Sequence, residues 1–135
     1  MRKEGWQKLL REERVARLAT HSDQGRIHLV PVCYAYDGRD IFIGTSMDSK
    51  KVRNVKRNSS VAFVVDFYVE DWSKLKGVMI QGKAEVVEGG RVFEGAKKLL
   101  YEKYPQYEAS APIEEGESVI IKITPEKIVA WDYES

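Results

Sequence analysis

Five cationic side chains, Lys50, Lys51, Arg53, Lys56 and Arg57, crowd a stretch that contains no acid. The hydroxyls of Thr45, Ser46 and Ser49 stand just before and beside them. Val52 and Val55, three apart, give the stretch a helical stripe that starts near Ser49. Lys50 and Lys51 then fall in the opening turn, where backbone N–H groups lack intrahelical partners and the helix dipole is positive. Donors, hydroxyls and ammonium groups meeting at a helix start can hold a phosphate. The same residues also describe a solvated basic face with Asp48 or Ser46 as an ordinary N-cap. The residue pattern alone leaves both readings open.

Other chemistries find less support. The chain has two histidines and one cysteine, too few for a zinc finger. His21 and His28 are seven apart in a hairpin, a spacing that suits no ligand pair; they read as a turn and a strand histidine. Neither standard Gly-rich nucleotide loop is present, and Ser46 and Ser49 have no evident base.

The elements that must position the basic stretch follow from periodicity. Ile41–Ile43 reads as a strand leading into it, and Val61–Val65 as a buried strand leading out. Upstream, residues 3 to 14 form an amphipathic helix with Trp6, Leu9 and Leu10 on its apolar stripe. Residues 15 to 20 and 27 to 36 pair as a hairpin around Gly25, and Pro31 marks the second as an edge strand, a bulge or a strand end. Asp37-Gly38 makes the next turn. Downstream, residues 77 to 87 alternate as a long strand. A helix spans 91 to 104 and stops at Pro105. Residues 106 to 117 read as an acidic loop. Two last strands, 118 to 123 and 127 to 131, are expected on either side of Thr124-Pro125. Strands joined mostly by tight turns predict a mainly β fold: an antiparallel barrel of about seven strands with flanking helices, needing closure or a partner to hide its edges.

At 135 residues the chain reads as one domain, 1–135, and 43% hydrophobic residues suffice for a core. Twenty-two basic against 21 acidic residues give a net charge of +1, which argues against a nucleic-acid protein. No apolar run reaches the ~20 residues that span a bilayer, and the start lacks a signal-peptide pattern, so a cytoplasmic protein is expected. Cys33 lies in an apolar run and is expected to be buried.

Four segments in order resemble the flavin-binding split β-barrels related to pyridoxamine 5'-phosphate oxidase. They are ARLAT (16–20) with HLVPVCYAYDG (28–38), IFIGTSMDSKKVRNVKRNSSVAF (41–63), MIQGKAEVV (79–87) and ITPEKIVAWD (123–132). The resemblance implies a six- to seven-stranded antiparallel Greek-key split β-barrel. It also implies a homodimer with cofactor at the interface and a small-molecule substrate. FMN is the cofactor implied, with the deazaflavin coenzyme F-420 as the alternative. Thr45, Ser49, Lys50 and Lys51 are similar to the residues that hold the flavin phosphate. Ile43 and Gly44 would lie along the ring, and Val30, Pro31 and Val32 would offer it backbone. Gln81 would contact the flavin from the long strand, and Trp131 would reach the partner's cofactor or serve as a core or interface aromatic. Asp48 is expected to turn back and cap the helix. His28 stands where the oxidases tend to have Arg, and the chain ends soon after Trp131. Inefficient oxidation of pyridoxamine phosphate is therefore expected, and the short form looks closer to the small flavin or deazaflavin reductases. No catalytic side chain is implied; a non-catalytic flavin carrier or sensor is the remaining alternative.

Overall fold

The computed structural model describes residues 1–133. Seven strands form one antiparallel sheet in the order β2-β1-β5-β6-β7-β4-β3. They are β1 (Ala16–His21), β2 (Ile27–Val32), β3 (Ala35–Tyr36), β4 (Ile41–Ser46), β5 (Ser60–Phe67), β6 (Lys76–Val87) and β7 (Ser118–Asp132). Helix α1 (Lys3–Glu12) precedes β1, α2 (Lys50–Arg57) links β4 to β5, and α3 (Gly90–Lys103) and α4 (Tyr107–Ser110) lie between β6 and β7. A 3-10 turn, Trp72–Lys74, sits in the β5–β6 loop. The fold is the expected mainly β, seven-stranded Greek-key half-barrel with flanking helices.

Alternation sorts the side chains. Ala16, Leu18 and Thr20 of β1, Val61, Phe63 and Val65 of β5, and Val78, Ile80 and Ala84 of β6 all turn inward. With Ile41 and Ile43 of β4, Val119, Ile121 and Ile123 of β7, and Leu9 and Leu10 of α1, they make the main core. On the outer side, α3 seals one part of the sheet, packing Phe93, Ala96 and Leu100 on Ala35, Phe42 and Ile120. The remainder of the outer face is bare. It carries Ile27 and Leu29 at 61% and 63% exposure, and Val129 and Trp131 at 40% each.

Three local expectations change. Residues 27–36 are two strands, because the chain leaves β1 after Val32 and joins β4 at Ala35. That crossing opens the barrel and leaves β2 and β3 as its edges, so Pro31 does sit on an edge strand. Residues 118–132 are one strand, not two: β6 and β7 shift register between Gln81 and Gly82, opposite Lys127 and Pro125, so Glu126 is the extra residue of a bulge. A Cβ on Gly82 would run into the Thr124 carbonyl, so glycine is needed at this close approach. Cys33 is exposed rather than buried, because the alternation of Val32 and Tyr34 inward turns it out. The acidic loop 106–117 also contains the single turn of α4.

Candidate functional site

The basic stretch folds as α2, a helix of eight residues, with Val52 and Val55 anchored in the main core. Its N-cap is Ser49, not Asp48 or Ser46. Ser49 holds the last extended backbone (φ −67, ψ 152), so its Oγ is the oxygen that accepts the Val52 N–H, at 3.4 Å. Asp48 instead accepts from Arg53 Nη1 through its backbone carbonyl, at 2.6 Å. The turn before the helix is fixed at both ends. Met47 N–H donates to the Glu117 carbonyl at 3.0 Å, and Ser49 N–H to the Ser46 carbonyl at 3.1 Å.

Asn54 docks the helix. It is 2% exposed and its Nδ2 donates to Thr20 Oγ1 at 3.0 Å. Arg57 closes the cluster, donating to Asn54 Oδ1 at 3.2 Å and to the His21 carbonyl at 3.1 Å. Lys50 and Lys51 stand four and three positions before Asn54, hence on its side of the helix. Across β1, Thr20 pairs with His28 of β2, and directly paired residues share a face. The register therefore brings His28 under the start of α2, beside both lysines.

Electrostatics record that closeness. Burial first, then the charges of Lys50 and Lys51, hold the His28 imidazole below its usual pKa. Burial likewise lowers the Lys51 ammonium, which is partly covered while Lys50 is exposed. His28 Nδ1 is shut off from solvent and has no hydrogen-bond partner among the described residues. A partly exposed imidazole, two ammonium groups and the unserved N–H groups of a helix's first turn fit an anion with several acceptor oxygens. Thr45 pairs with Val119 and so turns toward the same interior, and Ser49 keeps its O–H free to donate while its oxygen caps the helix.

The other nominated residues fall elsewhere. Val30 and Val32 turn inward and Pro31 outward, on a strand whose far backbone edge is unpaired. Ile43 is 1% exposed with its side chain in the core, so only its backbone can face a ligand. Gly44 faces the α3 side of the sheet, where an added Cβ would meet Ile113 Cδ1 at 2.9 Å and Leu100 Cδ1 of α3 at 3.4 Å. Gly44 and Thr45 line a cleft of about 320 Å³ with Ser46, Tyr107 and Ser118. Gln81 lies on the bare outer face in a separate cleft of about 320 Å³ with His21, Ser60 and Glu126. Trp131 shares that outer face, its ring lying on Gly77, where an added Cβ would sit 2.8 Å from Cε2. Within one chain, Gln81 and Trp131 are thus on the opposite side of the sheet from the inward-turned His28 and Thr45. His28 and Asn54 were not among the nominated residues. A polar Asn among basic helix residues was the available signal for the latter, but the Thr20–His28 register becomes visible only in the paired sheet.

A family model described as pyridoxamine 5'-phosphate oxidase matches residues 3–132. The chain is 34% identical over 131 residues to the 5a,11a-dehydrotetracycline/5a,11a-dehydrooxytetracycline reductase of Streptomyces rimosus subsp. rimosus, a match spanning 93% of this chain and 79% of the reductase. A conserved hypothetical protein from Mycobacterium tuberculosis shares the fold with a TM-score of 0.85 at 25% identity, over 98% of this chain and 85% of that one. An F-420 reductase aligns with a TM-score of 0.76 at 23% identity, over 95% and 98% of the two chains. With a family match over almost its entire length, this chain belongs to the pyridoxamine 5'-phosphate oxidase family, a group of oxidoreductase-like, flavin-binding proteins.

Proposed function

We propose that the protein is a flavin-dependent oxidoreductase that binds FMN through its phosphate at the start of α2 and acts on a small molecule. The observation that carries this is the placement of Lys50 and Lys51 in the first turn of α2, with His28 near enough for their charges to act on its imidazole. When bound, FMN would supply the redox chemistry. The chain's own residues would do the rest. Lys50, Lys51, Ser49 and Thr45 would grip the phosphate. The unpaired edge of β2 at Val30–Val32 and the β4 backbone at Ile43 and Gly44 would flank the ring. The reductase relative in Streptomyces rimosus favours reduction of an unsaturated organic substrate over oxidation of an amine.

A homodimer completes the reading. The bare outer face joins Leu29, Ala62, Val64, Met79, Val129 and Trp131 across β2, β5, β6 and β7. A second copy covering it would remove this apolar surface from water and carry Gln81 and Trp131 toward the other copy's cofactor. Sedimentation should give a dimer that Met79→Glu dissociates; a monomeric native protein would leave the site without its second wall.

The deciding experiment is spectroscopic. The purified protein is titrated with FMN and separately with the deazaflavin coenzyme F-420, followed by absorbance and fluorescence, and each loaded form is then given a reduced nicotinamide donor. Tight FMN binding with turnover supports the proposal. Binding of F-420 in its place moves the protein to the deazaflavin reductases, and FMN binding without turnover makes it a carrier. Failure to bind either would refute the assignment.

A further inference from the structure

We infer that His28 couples occupancy of the anion site to proton uptake: the imidazole is neutral when the site is empty and becomes a cationic ligand of a phosphate monoester when it is filled. The inference rests on the reading of the α2 start as a phosphate site. It adds that the grip is pH-dependent and names the residue responsible.

The geometry comes from the docking of α2. Asn54 fixes the helix to Thr20, Thr20 pairs with His28, and the lysines lie one turn before Asn54. The groups on the packed elements can be named in turn. From α2 come the Lys50 and Lys51 ammonium groups, and Arg57, already engaged by Asn54 and the His21 carbonyl. From β1 comes Thr20, whose hydroxyl oxygen accepts from Asn54. From β4 comes the hydroxyl of Thr45, turned to the same interior. None of these is a carboxylate, so none favours an imidazolium in the empty site. His28 as a whole is only partly covered, so a ligand can reach its ring, while its Nδ1 is sealed off without a partner among the described residues.

A bound phosphate monoester reverses the balance. It carries about −1.5 to −2 charges near pH 7 and three acceptor oxygens. It offsets both lysines and offers the imidazole an acceptor, so the imidazole's pKa rises on binding. The sign follows: the complex holds more protons than the free protein between the two values. Affinity is therefore greatest below the lower one and falls by up to about tenfold per pH unit between them. An Arg at this position would give no such dependence, because it stays protonated throughout.

The test uses the full chain with FMN and with riboflavin, which lacks the phosphate. Proton NMR follows the ring Cε1–H of His28 with pH, the signal being assigned by its loss in His28→Gln. FMN is expected to raise the His28 midpoint by at least about one unit, and riboflavin to leave it in place. Calorimetry in buffers of different ionisation enthalpy should show proton uptake on FMN binding that His28→Gln removes. Measured a unit or more above the monoester's second pKa of about 6, the phosphate is a dianion both free and bound, so its own titration adds little in either protein. If FMN binds more tightly than riboflavin but the His28 midpoint stays put and uptake is equal in His28→Gln, the coupling is refuted and the phosphate site stands. If FMN and riboflavin bind alike, or neither binds, the underlying site fails and the coupling with it.

Discussion

Replacing Lys51 by alanine separates a phosphate grip from a merely basic surface. Lys51 is the more covered of the two lysines, and burial already lowers its pKa. A charge-assisted hydrogen bond from such a group is worth about 1.5–3 kcal/mol. At about 1.4 kcal/mol per decade, its loss should weaken FMN binding by roughly 10- to 150-fold. Lys50 is exposed, so its ion pairing is screened, and Lys50→Ala should cost at most about 1 kcal/mol, or roughly fivefold. Riboflavin supplies the reference state, since neither substitution should change its affinity by more than about twofold if the lysines act on the phosphate alone. Quenching of flavin fluorescence, titrated at low and high salt, gives all the constants needed. The Lys50 effect should fade with salt more than the Lys51 effect does. Equal losses for FMN and riboflavin would mean that the lysine shapes the pocket, and no loss for either would mean that α2 is a solvated basic face. Either result refutes the reasoning.

Asn54→Ala should lower stability by about 1–3 kcal/mol in urea unfolding, because Thr20 loses its donor and Arg57 its acceptor in a buried cluster. Gly82→Ala should cost about 1–3 kcal/mol or more, since the new Cβ meets main chain at the bulge rather than a movable side chain; an unchanged unfolding midpoint would contradict the close approach. Lys103 lies under the Tyr34 ring, its Nζ 3.7 Å from the centroid, and burial lowers it to about 8. Below that value its charge burdens the fold fully. Between about 8 and its ordinary value the folded state sheds a proton that the unfolded chain keeps, so stability should rise with pH across that window. Lys103→Met should abolish the rise, measured by unfolding near pH 7 and near pH 9.5, below the ordinary tyrosine value of 10.0 around which the buried tyrosines, all shifted upward, begin to oppose it.

Much of this was readable from the chain because period and burial agreed. β6 alternates Val78, Ile80, Gly82 and Ala84 against Met79, Gln81, Lys83 and Glu85, and the burial follows that order residue by residue. β5 and α2 also stand where the apolar run and the Val52–Val55 spacing put them. The misreadings have a common source: local signals that pairing overrode. Thr124-Pro125 looked like a break, yet an unpaired bulge residue next to a glycine lets the strand run through. Cys33 looked buried among apolar neighbours, but residue parity on an edge segment turned it outward. At the candidate site, the lysines and hydroxyls were visible as a cluster. His28 was not, because its place beside them depends on a hairpin register and a helix dock contributed by segments far apart in sequence.

The bulge at Glu126 has a consequence for how this gene can vary. Before it, odd-numbered residues Val119, Ile121 and Ile123 point to the core; after it, Ile128 and Ala130 pair with the inward Ile80 and Val78. One inserted residue thus sets the reading phase of residues 127–132. Losing Glu126 alone would close the bulge into a regular ladder and leave Trp131 outward and Ala130 inward, whereas losing two residues here would rotate Trp131 into the barrel and throw Ala130 out. Loss of one residue in this segment should therefore survive selection more readily than loss of two.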